Sequence, residues 1–229
     1  MSARSVELTG GPVWHWRALQ RRNVLWQPFR THIADWLSTW QLSETEIILV
    51  GASAGWCLPS SFLARFEKII CIDPDRFAPV LFRFVHRQVG ARIEWIHADF
   101  FESAESILDA HRKAAVLLCN VAGQRRYVVS EIAAVETEMS LIKTRLGNRR
   151  WASFHDLLSG RSENSPETIA YPARRSHETI IQDFGLSGEW LDHLTSDLLP
   201  QEMARRILAW RFDTQRLHLV EAGFGCDGE

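Results

Sequence analysis

An apolar run that breaks abruptly into small residues constrains this chain most: Glu46 to Gly55 reads E-I-I-L-V-G-A-S-A-G, and Cys71 to Asp75 follows as C-I-D-P-D. A strand with no polar alternation belongs inside a sheet covered on both faces. A turn of small residues lets the backbone come close to a nucleotide-like ligand. An acid at the tip of the next strand can accept hydrogen bonds from ribose hydroxyls. Asp73 lies 22 residues after Gly51, near the ~20 expected of such an acid.

The same strand–helix alternation recurs down the chain. Strands are predicted at 47–50, 68–73, 92–97, 114–120 and 150–154. Helices are predicted at 59–66, 75–89, 102–112 and, as one long element, 125–146. A hairpin closes the chain, with alternating segments at 206–212 and 216–222 around the turn Asp213-Thr214-Gln215. The fold class is therefore α/β: a doubly wound, mostly parallel seven-stranded sheet with a C-terminal antiparallel hairpin and helices on both faces. Residues 1–43 read as an N-terminal helical extension, with a helix from Pro28 to Trp40. Residues 44–229 form the main domain, with an insertion or cap at 155–203 containing short helices near 177–184 and 189–198.

Composition removes several function classes. A net charge of −2 over 229 residues gives no general attraction to nucleic acid or anionic lipid. No run is apolar for long enough to span a bilayer, and the first residues lack the apolar core of a leader peptide. The four cysteines, Cys57, Cys71, Cys119 and Cys226, form no CxxC pair, which fits a reducing, cytoplasmic setting. Of the ten Trp, half lie within the first 40 residues, and core packing is the expected use of each.

The element order and four loops resemble the class I S-adenosylmethionine-dependent methyltransferases, over roughly residues 44 to 223. The resemblance implies S-adenosyl-L-methionine as cofactor. Gly51, Ala52, Ser53 and Gly55 would form its first loop, with Ser53 at the middle glycine position. Leu49 departs from the pattern, because the family usually carries an acid there. Asp73, followed by Pro74, would hold the ribose; Asp99 and the Phe100 amide would hold the adenine. Both acids have a second reading as helix caps. Asn120, at the end of strand four, would lie beside the transferring methyl and orient the substrate, and Gly123 would permit close approach.

His155, expected just past strand five, is the candidate general base, since an imidazole titrates near neutrality. A metal held by Asn120, His155 and Asp156 lacks supporting ligand spacing, so no metal is expected. Tyr171, Arg174, Arg175 and His177 read as loop surface, with contact to an anionic acceptor as the alternative. The leading function is methyl transfer to a small-molecule acceptor, with neither nucleic acid nor membrane as partner; the sequence leaves a homodimer open. Two alternatives stand: a non-catalytic cofactor-binding protein, and an NAD(P)-dependent oxidoreductase, against which Ser53 and Trp56 break G-x-G-x-x-G.

Overall fold

The computed structural model describes residues 11–164 and 166–225. Cys226 and the first ten residues of the N-terminal extension lie outside them. Two helices come first, α1 (Gly11–Arg21) and α2 (Gln27–Ser38). Pro28 occupies the first turn of α2, where its missing N–H costs nothing, and Phe29, Ile33, Trp36 and Leu37 form the buried stripe that the spacing predicts. The alternating body follows: β1 (Glu46–Val50), α3 (Ser60–Leu63), β2 (Lys68–Ile72), α4 (Ala78–Val85), β3 (Ile93–Ile96), α5 (Phe100–Ala110), β4 (Ala115–Cys119), α6 (Arg125–Val128), α7 (Ile132–Leu146) and β5 (Trp151–Arg161). The chain then runs through β6 (Ile169–Tyr171), α8 (His177–Asp183), β7 (Trp190–Asp192), β8 (Arg205–Arg211) and β9 (Arg216–Phe224).

Among the described residues these strands form one nine-stranded sheet in the order β3-β2-β1-β4-β5-β9-β8-β6, with β7 also on β5. The stretch from β3 to β5 is parallel and the remainder antiparallel. The doubly wound sheet and its closing hairpin are as expected, and two short strands from the insertion, β6 and β7, are added to them. Each parallel strand alternates between two cores. Ile47 and Leu49 face α1 to α4, whereas Ile48 and Val50 face α5 and α7. β1 pairs with β2 on one side and β4 on the other, and the helices that follow β1 and β4 pack on opposite faces of the sheet. The resulting switch point opens a crevice above Gly51.

Of the N-terminal aromatics, Trp26, Phe29, Trp36 and Trp40 are core, as expected, and Trp14 packs against it, whereas Trp16 is exposed on α1 and departs from the expectation. Phe29 stacks on Trp210 at 4.8 Å and Trp36 on Phe224 at 5.3 Å, so α2 lies on the hairpin end of the sheet. The Trp26 indole N–H donates to the Phe212 carbonyl at 3.1 Å.

Three elements depart most from expectation. Strand five does not stop at Phe154 but runs to Arg161, pairing with β9 along its length. The long helix is two, because Val129 and Glu131 are extended (ψ of 127° at both); β-branched Val128 and Val129 followed by Ser130 are poor helix formers. The helix expected at 189–198 is instead β7 followed by a turn with Leu194 at φ 60°. There, pairing to the upper edge of β5 overrides the helical spacing of Trp190, Leu191, Leu194 and Leu198.

Candidate active site

The crevice starts at the β1 turn. Gly51 has a φ of 67°, and a Cβ there would stand 2.6 Å from Val121 Cβ, so only glycine fits. Ser53 is also left-handed (φ 48°), not at the negative φ that would suit its side chain best. Two backbone amides converge on Asp73: its Oδ2 accepts from Ser53 N–H and its Oδ1 from Asp75 N–H, both at 2.8 Å. These bonds fix the carboxylate at the tip of β2 and leave one lone pair on each oxygen. Burial raises the Asp73 pKa, with the two amides opposing it.

Asp99 takes the cap position of α5, accepting from Phe101 N–H through Oδ1 at 2.9 Å. The helix therefore starts at Phe100, earlier than predicted. Its Oδ2 accepts from Arg125 Nη1 at 3.0 Å. Arg125 in turn makes a two-pronged pair with Glu138 (2.7 Å each) and lies 4.5 Å over the Phe101 ring. The Asp99 carboxylate is thus both a cap and an ion-pair partner.

Gly51, Ala52, Ser53, Asp73, Pro74, Asp99, Phe100 and Asn120 all line one cavity of about 160 Å³. Gly55 lies outside that lining. A Cβ on it would meet His86 Nε2 at 2.4 Å, and its carbonyl oxygen lies 3.1 Å from the same nitrogen, so it seats α4. Leu49 is fully buried in the core, and the carboxylates on the crevice wall are Asp73 and Asp99. Cys57 reaches the wall too, and burial pushes its thiol up to about 12, away from the reactive thiolate form.

The N-terminal extension folds over this crevice. The Trp14 indole donates to Ser53 Oγ at 3.2 Å, and Gly11 N–H donates to Asp75 Oδ2 at 2.8 Å. His15 Nδ1 accepts from the Trp56 indole N–H (3.1 Å), so its proton sits on Nε2 and is donated to Asp75 (3.0 Å). Burial pushes the Asp75 carboxyl up, but the His15 bond and the Gly11 and Phe77 amides outweigh it and hold the group at about 2.

His155 is not in the crevice. It lies inside β5, fully buried, on the sheet face opposite Asp156. Its Nδ1 accepts from Ser153 Oγ (2.8 Å), and its Nε2 donates to Glu221 (3.2 Å), which Arg205 also binds at 2.9 Å. Neither the crevice nor the wider cavity beside it is lined by any of these residues.

The group at the cavity wall is its sequence neighbour. Asp156 Oδ1 accepts from His218 Nδ1 at 2.9 Å, and Oδ2 accepts from Asn120 Nδ2 at 3.1 Å. Asn120, at φ 56°, also accepts the Asp156 N–H through Oδ1 at 2.6 Å. Gly123 leaves room for this, since a Cβ there would stand 2.7 Å from Asp156 Cβ. His193 donates from Nδ1 to the Gly123 carbonyl and accepts from Ser159 at Nε2, both at 2.9 Å. It is therefore a neutral brace between β7 and β5, and burial lowers its pKa.

Asp156, His193 and His218 place ligand atoms within 4.8 Å of one another. The Asp156 oxygens, both His193 nitrogens and His218 Nδ1 are already bonded within the protein. That leaves His218 Nε2 as the uncommitted nitrogen. It is the lone-pair nitrogen of the neutral ring, on a residue lining a second cavity of about 920 Å³. Trp14, Asn120, Gln124 and Trp210 line both cavities, so the two adjoin.

Sequence reasoning missed His218 and His193, whose roles depend on a partner 62 and 70 residues away. One clue was available: Ser153, His155 and Asp156 interrupt an otherwise apolar run, and polar residues inside a strand need partners.

Burial pushes the Asp156 carboxyl up, but His218, His193 and Asn120 prevail and hold it at about 2, below its ordinary 3.8. A depressed carboxyl stabilises the fold above its unfolded value, and the contribution disappears as pH falls through the folded one. The wild type is therefore expected to lose roughly 2 kcal/mol between about pH 5 and about pH 2 from this group. Urea midpoints across that range should fall less steeply for Asp156→Asn.

No family model matches the sequence, and no curated protein matches it. Solved structures with a similar arrangement include the N-methyltransferase NodS from Bradyrhizobium japonicum WM9 in complex with S-adenosyl-L-homocysteine (12% identity, 86% of each chain, TM-score 0.47). Magnesium protoporphyrin IX methyltransferase from Synechocystis PCC 6803 with bound S-adenosylmethionine is another (12% identity, 93% of this chain and 85% of that one, TM-score 0.47). A third is an S-adenosylmethionine-dependent methyltransferase from Clostridium acetobutylicum ATCC 824 (9% identity, 94% and 80%, TM-score 0.42). At such identities and scores these likenesses assign neither ligand nor reaction to this chain.

Proposed function

We propose that the chain is an S-adenosylmethionine-dependent methyltransferase acting on a small molecule whose accepting atom must lose a proton. One observation carries this reading: a crevice with carboxylates at two neighbouring strand tips adjoins a wider cavity, and that cavity is lined by a carboxylate-bound histidine whose second ring nitrogen has no bond within the protein among the described residues. The donor set suits an adenosyl group. The free lone pairs of Asp73 can accept from ribose hydroxyls, the Asp99 side chain is 34% exposed at the other end, and Trp210 Nε1 is a buried N–H without a partner among the described residues. When bound, S-adenosylmethionine supplies a methyl group on a sulfonium, which leaves as a neutral thioether.

The protein's task is then alignment, exclusion of water and proton removal. Trp14 covers the Ser53 turn. Asn120 holds Asp156, Asp156 fixes the His218 tautomer, and Nε2 takes the acceptor's proton as the new bond to carbon forms. Tyr127, on the same cavity, stays a protonated phenol because burial and then the Asp156 charge raise its pKa.

The test is thermal shift and calorimetry with S-adenosyl-L-homocysteine and NAD. At one hundred times its Kd, the true ligand adds about 2.7 kcal/mol to stability. The adenosyl compound should do so and NAD should not. Asp73→Ala should weaken adenosyl binding at least about tenfold, the loss of charge-assisted bonds to two hydroxyls. No response to the adenosyl compound would leave only the fold. The buried Leu49 favours a second reading, a cofactor-binding protein without turnover, which would keep the shift and show no methylation of any acceptor.

A further inference from the structure

The wide cavity has more to say about its occupant. Its walls are aromatic: Tyr127, Trp190, Trp210 and Phe212 line it around His218. Flat rings of this kind suit a flat ligand. Cationic groups stand at its outer end. Arg161 and Arg216 line the same cavity, both exposed, and are direct cross-strand partners in the β5–β9 ladder.

Like charges placed directly opposite repel, and neither guanidinium forms an ion pair among the described residues. A third, Arg17, lies 5.4 Å over the Phe212 ring. Two carboxylates are nearby. Asp213 is taken up by the Gln215 and Arg216 amides and by Arg21 at 4.0 Å, and Glu189 is exposed on the cavity lining. The outer end therefore keeps an excess of positive charge.

The register fixes where that charge sits relative to the base. Ser159 pairs with His218 and Arg161 with Arg216, so Arg216 precedes His218 by two residues on the same strand face. Two strand residues advance ~7 Å, about the breadth of a para-substituted ring.

Resting on the methyl-transfer reading, we infer that the acceptor is a planar hydroxyaryl acid, with its hydroxyl on His218 Nε2, its ring between the aromatic walls, and its anionic group at Arg161 and Arg216. The step balances without a further reactant. The O–H proton goes to His218, the oxygen takes the methyl group, and the carbon–sulfur electron pair stays with the thioether.

The test uses the full chain saturated with S-adenosyl-L-homocysteine. Binding of para-hydroxybenzoate, para-hydroxycinnamate and para-hydroxyphenyl phosphate is measured by calorimetry beside the uncharged amides of the two carboxylic acids. The three anions separate a carboxylate from a phosphate as the preferred group.

At least one anion is expected to bind about tenfold or more tightly than its uncharged counterpart, the scale of a charge-assisted pair; phenol serves as the counterpart for the phosphate. The double variant Arg161→Gln, Arg216→Gln should remove that preference while the S-adenosyl-L-homocysteine shift stays unchanged. Both positions are exposed, so folding is not at stake, and far-ultraviolet dichroism verifies it. Amides that bind as well as acids, a preference that survives the double variant, or no binding by any anion would each overturn the inference. Loss of the adenosyl shift alone, with the anion preference intact, would instead remove the methyl-transfer reading.

Discussion

His218→Gln is expected to lower turnover roughly 10²- to 10⁴-fold, the usual contribution of a positioned general base. Adenosyl binding should stay within about twofold. The split follows from geometry: His218 stands on the wide cavity and contributes nothing to the lining of the crevice that holds Asp73 and Asp99. Asp156→Asn should lose turnover without losing acceptor binding, because Asp156 acts through the ring. Its carboxylate sets the proton on Nδ1 and leaves Nε2 to accept; an amide at that position can also present N–H to the ring and reverse the tautomer. His155→Gln is the informative contrast. It should leave kcat unaltered, since His155 touches Ser153 and Glu221 and neither cavity. Steady-state kinetics of the three variants on an identified acceptor decides the matter; a His218→Gln enzyme with wild-type kcat would remove the base from the mechanism.

The contrast between His155 and His218 shows where the sequence was readable and where it was not. Strands β1, β2 and β4 are visible because each is apolar on both faces, and a run such as Ala115–Cys119 has no other use in a chain of this composition. Asp73 and Asp99 are visible because an acid between a strand and a helix has only two ordinary uses, and here Asp99 serves visibly as the cap. The end of β5 is hidden, because His155 and Asp156 look like the start of a loop until their partners on β9, Glu221 and His218, are known. Strand β7 is hidden for a related reason. Three residues acquire strand form only because β5 runs beyond β4 and leaves an edge to be covered. Local pattern thus carries the parallel half of the fold, whereas the Asp156–His218 pair exists only in cross-strand register.

Arg205→Met should destabilise the fold by roughly 3–5 kcal/mol, as expected when one partner of a buried ion pair is removed. Arg205 is 3% exposed and Glu221 2%, so water cannot take over the carboxylate. Burial pushes the Glu221 carboxyl up, but His155 and Arg205 outweigh it and hold the group below its ordinary value. Without the guanidinium, the remaining partner is the His155 N–H. Arg205 also donates to the Met203, Pro200 and Gln201 carbonyls, so the loop entering β8 loses its anchor as well. Replacing both ends, as in Arg205→Met with Glu221→Leu, should recover a good part of the loss, because no charge is then stranded in the core. Chemical denaturation of the single and double variants measures the coupling directly. The group lies on the face of β5 turned away from the Asp156–His218 pair. Any Arg205→Met protein that stays folded at low temperature should therefore keep wild-type acceptor KM. A raised KM at full folding would mean that the two faces of β5 are not independent.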